Sequence, residues 1–243
     1  MISSLFRQIF FNPLYNLLIA ISAFLPGQSL GGAIIVLTII VKLTLLPFQH
    51  QTLKMQKKLK LLEPQLQALK KDYHQNRNEQ AKQIMALYQT HGVNPLTTFW
   101  TILIQIPIVL ALFLVFRDSA TLHPDLLYSF VPRPETVSAN WLGLVDLTKV
   151  FFPLSLSVGL SQFIQLWLAT PSSPQLSSPA VQIQKQMRYW LPVFIAFAAS
   201  TLPAAISLYW LTGNLFTIVH ELFIRRAAAL THQSEKDGSS TGQ

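Results

Sequence analysis

The chain has 243 residues, of which 51% are hydrophobic and 12% are charged, and its mean hydropathy is positive. Soluble globular domains carry about 25% charged residues, so this composition excludes an ordinary soluble domain and is typical of a polytopic membrane protein. Most of the formal net charge of +8 lies in one block beside a hydrophobic run, which favours the cytoplasmic side of a membrane over nucleic acid. Because the chain has no cysteine, disulfides, thiolate zinc sites and lipidated cysteines are excluded.

Residues 1–29 contain a short apolar run that ends at a Pro-Gly pair. The run is short for a membrane span and begins with polar residues, which favours an interfacial helix on the outer face. The glycines Gly27, Gly31 and Gly32 are predicted to form the turn that follows it. A cleaved signal peptide is the alternative, because Arg7 precedes the apolar run.

Residues 30–48 are predicted to be the first span, and they contain a single charged group, Lys42. At about 1.5 Å per helical residue, the segment is long enough to cross a hydrocarbon layer of about 30 Å. A lysine at the centre of a span costs roughly 2.5 to 3.5 kcal/mol, so it indicates a function, with water or a partner nearby. Thr38, Lys42 and Gln49 share one face of this helix, and we expect that face to line a hydrated cavity.

Residues 49–94 are predicted to be a basic, cytoplasmic helical hairpin. From Phe48 onward the segment holds eight lysines and arginines against three acidic residues. Its apolar residues repeat at helical spacing in two seams, Leu59, Leu62, Leu66 and Leu69, then Ala81, Ile84, Met85 and Tyr88. A polar break at residues 72–78 separates the seams, and Pro64 predicts a kink or a restart in the first helix. A solvated basic loop is the alternative.

Four more apolar runs predict spans two to five at residues 95–116, 151–168, 186–202 and 204–224. Residues 117–150 form a loop with net negative charge, residues 169–185 a second loop, and residues 225–243 a tail expected to be disordered. The uncharged stretch at residues 189–219 would be about 46 Å long as one helix, so Pro203 is predicted to divide it into two spans. The polar residues within these spans are Gln105 on span two, Ser157, Ser161 and Gln165 on span three, and Ser207, Trp210, Asn214 and Thr217 on span five.

Charge predicts the topology. If the basic hairpin is cytoplasmic, the second loop and the tail are also cytoplasmic, and the acidic loop at residues 117–150 lies outside with the N-terminus. Every segment agrees except Arg7. The predicted fold class is therefore an all-α integral membrane protein with five transmembrane helices and a cytoplasmic helical hairpin.

Catalytic signatures are missing from the sequence. There is no nucleophile and base at useful spacing, no HExxH motif and no glycine-rich phosphate loop. The six histidines are scattered, and we interpret them as surface or interfacial residues. We therefore predict that the protein is not an enzyme and needs no metal or other cofactor.

Five segments resemble, in order, the core of the YidC/Oxa/Alb membrane protein insertases. They are GAIIVLTIIVKLTLLPF, LEPQLQALKK, KQIMALYQTHGVNPL, LIQIPIVLALF and LPAAISLYWLTGNLFTIVHELFI. The resemblance extends over nearly the whole chain, from about Asn12 to Arg226. One departure stands out, because the family usually has arginine where this chain has Lys42.

The resemblance implies a hydrophilic groove in the cytoplasmic half of the bilayer, open to the cytoplasm and closed outside. Such proteins move the helices and short polar tails of nascent membrane proteins into the bilayer without nucleotide hydrolysis. Lys42 is the expected groove charge, and the expected polar lining is Thr38, Gln105, Ser161, Gln165, Trp210 and Asn214. The resemblance also implies that the hairpin residues Lys57, Lys58, Lys70, Lys71 and Arg77 recruit substrate, ribosome, targeting factors or a Sec translocon.

The role of the serines stays open, because they could line a groove or simply hold helices together in lipid.

The function of the protein stays open between three interpretations, of which the insertase is the first. A transporter or channel would also place polar side chains around a buried cation. A scaffolding chaperone that helps inserted helices pack is the third interpretation. Because no Arg/Ser-rich transit peptide is present, the predicted location is a bacterial plasma (inner) membrane.

Overall fold

The computed structural model describes residues 4–93, 107–116, 123–134, 136–169 and 179–240, and these residues are mostly helical. The helices are α1 (Ser4–Phe6), α2 (Asn12–Phe24), α3 (Leu30–Leu61), α4 (Glu63–Asp72), α5 (Arg77–Thr90), α6 (Pro107–Phe116), α7 (Phe152–Ala169), α8 (Pro179–Ala199) and α9 (Ala204–Ser240). A π-helical turn joins α1 to α2. Two strands of two residues each, β1 (Asn140–Trp141) and β2 (Val145–Asp146), form an antiparallel hairpin that the sequence did not predict.

Among the described residues, one segment is long and apolar enough to cross a membrane. It is Leu30–Phe48, the first part of α3, with a mean hydropathy of 2.2. The helices at Pro107–Phe116 and Phe152–Leu168 are apolar but shorter. The helical character of the chain is thus confirmed, while the number of five spans stays a prediction.

Helix α3 does not end where the predicted first span ends. It continues through Pro47 to Leu61, so the basic segment begins as an extension of the same helix. Lysine, leucine, methionine and glutamine dominate this extension, and all four favour helix. The restart predicted at Pro64 is present, because α4 begins at Glu63 and a proline in a first helical turn gives up no intrahelical hydrogen bond.

Helices α4 and α5 pack on each other through a small apolar cluster. Leu62, Leu66 and Val93 are buried there, and Met55, Ile84, Leu87 and Tyr88 pack around them. The predicted seam was wrong for Ala81 and Met85, since both are exposed and Met85 keeps 52% of its surface accessible. Leu87 contributes to the cluster instead, so the apolar face of α5 is rotated relative to the prediction.

The start of α5 is capped by Asn76, whose Oδ1 accepts a hydrogen bond of 3.1 Å from the backbone N–H of Glu79. We expect Asn76→Ala to destabilise the hairpin by about 1 kcal/mol, because that N–H loses its partner. Hydrogen exchange of the first-turn amides of α5 measures the change. The control is Asn78→Ala, which removes an exposed asparagine two residues further along, in the first turn of α5, without removing the cap. Equal protection in the two variants would contradict the prediction.

The N-terminal helix α2 packs into the main apolar core. Tyr15, Leu18 and Ile19 are completely buried. The turn between α2 and α3 uses Gly27 in the left-handed region, with φ of 64°. The expectation that Gly31 and Gly32 also belong to the turn was wrong, since both lie inside α3, where neighbouring side chains approach them closely.

Residues 123–134 and 136–150 form a cap that packs on the bundle. The Ser138 carbonyl accepts a hydrogen bond from the backbone N–H of Leu30 at the start of α3, and the Ser138 N–H donates to the carbonyl of Gln28 in the preceding turn. The carbonyls of Leu147 and Lys149 accept from the first residues of α9. Leu127, Val131, Val145 and Leu147 are buried in the main core. We call the end of the bundle under this cap the loop end.

A polar turn stiffens the cap next to β2. The hydrogen bond from the Thr148 hydroxyl, followed by that from Lys149, lowers the pKa of Asp146 to about 2. The carboxylate accepts from Thr148 at 2.6 Å and lies 2.9 Å from the Lys149 ammonium. Asp146 therefore remains ionised below its ordinary pKa, and its contacts with Thr148 and Lys149 weaken only as the pH falls toward about 2.

Helices α3, α7 and α9 run in the same direction. Lys42 lies beside Gly213 and His50 beside His220, so α3 and α9 advance together along the bundle. Helix α8 returns antiparallel to α7 and packs on it where Ala196 meets Gly159. We call the end toward which α3, α7 and α9 run the basic end, because the basic extension of α3 begins there.

The turn between α8 and α9 lies at residues 200–203, at the predicted division near Pro203. The expectation of a disordered tail was wrong for most of its length, because α9 continues as a helix to Ser240. Residues 225–240 include alanine, leucine, arginine, glutamate and lysine, which favour helix even without a packed partner.

Candidate functional site

Lys42 lies in the contact between α3 and α9, against Gly213. A Cβ at position 213 would be 3.0 Å from Cε of Lys42 and 3.6 Å from Nζ, so a larger residue there would make the end of the lysine side chain shift slightly. The Lys42 side chain is partly buried, and its ammonium forms no ion pair with any described residue. A cation in an apolar segment without a carboxylate is costly unless water or a ligand solvates it.

Thr38 lies one turn toward the loop end from Lys42, on the same face of α3. It is 1% exposed, and its hydroxyl donates to the carbonyl of Ile34 at 2.6 Å. The hydroxyl is therefore satisfied within its own helix, while the methyl group points toward Gly213. The side chain of Gln49, and all of Gln105, lie outside the described residues.

Ser161 and Asn214 join α7 to α9 at the same level as Lys42. The Asn214 amide donates to Oγ of Ser161 at 3.0 Å, and the Ser161 hydroxyl donates to the carbonyl of Val158 at 2.9 Å. Both side chains are buried, with 5% and 8% of their surface exposed. Of the two roles left open for the serines, this geometry favours holding helices together for Ser161.

Gln165 and Trp210 complete the predicted lining that the structure describes. Gln165 lies one turn beyond Ser161 toward the basic end, and its buried Oε1 accepts no hydrogen bond from any described residue. Buried acceptors without a partner are rare, so this oxygen is a candidate acceptor for water or a bound chain. Trp210 is partly buried against the main core.

Sequence reasoning missed a second polar junction, closer to the loop end. The Ser155 and Ser207 hydroxyls both donate to the carbonyl of Ala199, at 2.9 and 3.4 Å, and so tie α7, α8 and α9 together. Ser157, which was predicted to lie on the polar face of α7, is exposed, and its hydroxyl donates to the carbonyl of Pro153 in the same helix. The spacing of Ser155 and Gly159, two small residues four apart, would have found the correct face.

Burial changes abruptly at the level of Lys42. Toward the loop end, α3, α7 and α9 all contain buried residues, including Leu37, Val158 and Tyr209. Beyond Lys42 on α3 up to Leu61, beyond Ser161 on α7 and beyond Asn214 on α9, no described residue is buried. The three parallel helices therefore lose their buried residues at one level, and the unpaired ammonium lies at that level. Beyond it α3 and α9 are still in contact through the rings of His50 and His220.

Among the described residues, no group of three or more histidine, aspartate or glutamate side chains lies close enough to hold a metal ion. The Lys42 ammonium can attract an acidic group, and the Gln165 oxygen can accept a hydrogen bond from an N–H or O–H donor.

Comparison with known proteins decides the family. A family model described as 60Kd inner membrane protein matches residues 21–232. The chain belongs to the 60Kd inner membrane protein family. This confirms the resemblance noted from the sequence motifs, and membership supports a bacterial inner membrane location.

Two curated relatives of this family come from Francisella tularensis subsp. novicida (strain U112) and subsp. tularensis (strain SCHU S4 / Schu 4), and each is named membrane protein insertase YidC. Each is 31% identical over 203 residues, which is 84% of this chain and 34% of the relative. The chain thus spans about a third of the length of these relatives.

A solved structure has the same fold as the chain described here. It is an active YidC insertase with its first transmembrane domain resolved, and it matches with a TM-score of 0.60 at 22% identity. The match covers 89% of this chain and 46% of that chain. The likeness supports the fold described above.

In the present chain, most of the basic residues that were predicted to bind partners through the hairpin are exposed to solvent. Lys58, Lys71 and Arg77 are exposed and Lys70 is half-buried, while the side chain of Lys57 lies outside the described residues. No described carboxylate pairs with these side chains within 4 Å. Their charges are therefore available to an acidic partner.

Proposed function

We propose that the protein is a membrane protein insertase, which moves substrate helices and short polar tails from the cytoplasm into the bilayer. The observation that carries the proposal is the common level at which α3, α7 and α9 lose their buried residues, with the unpaired Lys42 at that level. The names of the curated relatives support the same activity. The relatives are longer than this chain, so the assignment rests on the core that they share.

The proposed topology has five spans, with the loop end outside and the basic end in the cytoplasm. Its support is the charge distribution in the sequence, because the extension of α3 and the last part of α9 carry lysines and arginines, whereas residues 117–150 have net negative charge. The N-terminus is then outside and the C-terminus cytoplasmic. In this orientation the loosened halves of α3, α7 and α9 face the cytoplasm.

In this proposal Lys42 attracts acidic groups of the substrate's tail. It lies about 9 Å from the cytoplasmic end of its span, so a hydrated recess that reaches it shortens the hydrocarbon path that the tail must cross. A fixed charge acts more strongly in a low-dielectric recess than in bulk water. The Gln165 oxygen offers an acceptor one turn closer to the cytoplasm. Trp210 and Gln105 are proposed to complete the lining.

Two physical gradients drive the substrate forward without nucleotide hydrolysis. The substrate's apolar helix leaves sideways into lipid, which gains about 25 cal/mol per Å² of apolar surface removed from water. A membrane potential that is positive outside adds about 2.3 kcal/mol per acidic charge moved outward across 100 mV. Neither step requires a catalytic residue or a cofactor.

The hairpin is proposed to recruit the machinery that delivers the substrate. Its exposed lysines and arginine suit acidic surfaces on a ribosome, a targeting factor or a Sec translocon, through charge rather than nucleic-acid sequence. The small apolar cluster between α4 and α5 holds these charges on a rigid unit. Nascent membrane proteins are the proposed substrates.

The packed loop end favours an insertase over a channel. Leu30, Ile34, Leu37, Val115 and Leu147 are each at most 1% exposed there. A continuous water path to the outer side would need free polar side chains at this level, whereas the buried polar side chains Asn16, Ser155 and Ser207 are hydrogen-bonded to protein carbonyls.

Reconstitution tests the proposal. The full chain in vesicles is offered a single-span substrate with a short acidic N-terminal tail, and protease protection measures how much of the tail reaches the far side. We expect protection well above that of protein-free vesicles, and crosslinks from position 165 or 210 to the substrate. Protection equal to protein-free vesicles would refute the proposal, and release of a trapped small anion without substrate would favour the channel.

A further inference from the structure

Arg188 on α8 lies between two aromatic rings at the surface of the bundle. Its guanidinium carbon is 5.6 Å from the centre of the Trp167 ring on α7 and 5.9 Å from that of Tyr189. Both rings are more than half exposed, at 57% and 64%. Arg188 forms no ion pair with a described carboxylate, and its buried Nε has no hydrogen-bond partner among the described residues.

The level of Arg188 in the bundle follows from its neighbours. Trp167 lies six residues beyond Ser161 on α7, which places it about 9 Å closer to the basic end than the level of Lys42. Lys42 is itself about 9 Å from the end of its span, so Arg188 and its aromatic neighbours fall at the boundary between hydrocarbon and water. Tryptophan and tyrosine are enriched at that boundary, where a guanidinium meets lipid phosphates.

An open apolar groove continues from Arg188 along α8 toward the loop end. Tyr189, Trp190, Val193, Phe194 and Phe197 line it. Helix α8 packs on α7 rather than on α3, so this face is separated from Lys42 by α7 and α9. The groove is therefore distinct from the candidate site for the substrate's acidic tail.

We propose that Arg188 and the groove on α8 bind one anionic glycerophospholipid. The guanidinium donates to phosphate oxygens, Trp167 and Tyr189 hold the guanidinium in place through their ring faces, and one acyl chain lies along Val193, Phe194 and Phe197. Charge complementarity selects the occupant, because the groove is apolar along its length and its one described cation is at the end that meets the headgroups. The inference rests on the proposed membrane orientation, but not on insertion activity.

Native mass spectrometry of the full chain in detergent tests the site. The protein is titrated with phosphatidylglycerol and, separately, with phosphatidylcholine of the same acyl chains. We expect phosphatidylglycerol to bind at least about fivefold more tightly, and Arg188→Gln to remove that preference. The matched control is Arg226→Gln, which removes an exposed arginine on α9 and is expected to keep the preference.

Arg188→Lys keeps the charge but loses the planar donor pair, so an intermediate preference is expected. Circular dichroism verifies that each variant keeps its helical content. Equal affinity for the two lipids, or the same preference in Arg188→Gln as in the unmodified protein, would overturn the proposal. So would an effect of Arg188→Gln on insertion of acidic tails in pure phosphatidylcholine vesicles, because Arg188 would then contact substrate instead of lipid. Lipid binding is measured without substrate, so it can hold even if insertion fails.

Discussion

Replacing Lys42 with alanine or glutamate is expected to slow the insertion of substrates with acidic tails by about tenfold or more, whereas Lys42→Arg retains insertion. The ammonium is the only charge that the sequence places in residues 30–48, and it has no described ion-pair partner that would compete with a substrate carboxylate. Arginine preserves the positive charge, and its larger planar group matches the residue usual in the family. The measurement is the initial rate of tail protection in reconstituted vesicles.

Two controls separate charge from packing in this experiment. Lys42→Met keeps a long side chain against Gly213 but removes the charge, so it should behave like Lys42→Ala rather than like the unmodified protein. Lys58→Ala removes an exposed lysine from the basic extension of the same helix and should leave the tail-specific effect intact. The insertion rate of a substrate with an uncharged tail should fall much less in the same Lys42 variants. Equal insertion by all Lys42 variants would exclude this residue from the mechanism.

The part of the site that could be predicted follows from Lys42, because burying a charged side chain in an apolar segment costs free energy. A lysine inside an apolar run has few stable surroundings, so Lys42 could be selected from sequence alone, and the polar positions Ser161 and Asn214 could be placed on the helices that meet near it. Their contact with each other could not be predicted, because helical spacing gives a face and not its partner. Ser157 shows the limit, since a regular four-residue stripe included one residue on the exposed side of α7.

The parts that could not be predicted depend on long-range packing. Gly213 has no side chain whose chemistry would mark it as part of the site, and its close contact with the Lys42 side chain is seen only in the structure. The bounds predicted for the first span match Leu30–Phe48, the described segment that is long and apolar enough to cross a membrane. The change in polarity after Pro47 did not reveal that the same helix continues to Leu61. The cap is held partly by backbone hydrogen bonds to Leu30 and to the start of α9, which leave little trace in side-chain composition. It is also held by long-range bonds from the side chains of Tyr15 and Asn16, whose partners helical spacing does not reveal.

The same cap gives the second large effect, at Gly31. A Cβ at this position would collide with Cδ1 of Trp141 on β1, and the indole is a rigid ring that cannot bend away. Gly31→Ala must therefore displace either the β-hairpin or the start of α3, and overpacking of this kind typically costs about 1 to 3 kcal/mol. For a chain of this size we expect the apparent Tm in detergent to fall by roughly 2 to 12 °C.

The neighbouring glycine provides a matched comparison for this steric argument. A Cβ on Gly32 would lie 2.9 Å from Cδ1 of Leu25, which is the far end of a flexible side chain and can move. Alanine also favours helix over glycine by about 1 kcal/mol, so Gly32→Ala should leave the apparent Tm nearly unchanged. The double variant Gly31→Ala, Trp141→Leu should recover part of the loss, because the smaller side chain leaves room for the new methyl group. If Gly31→Ala and Gly32→Ala unfold at the same temperature, Trp141 does not hold the cap against α3.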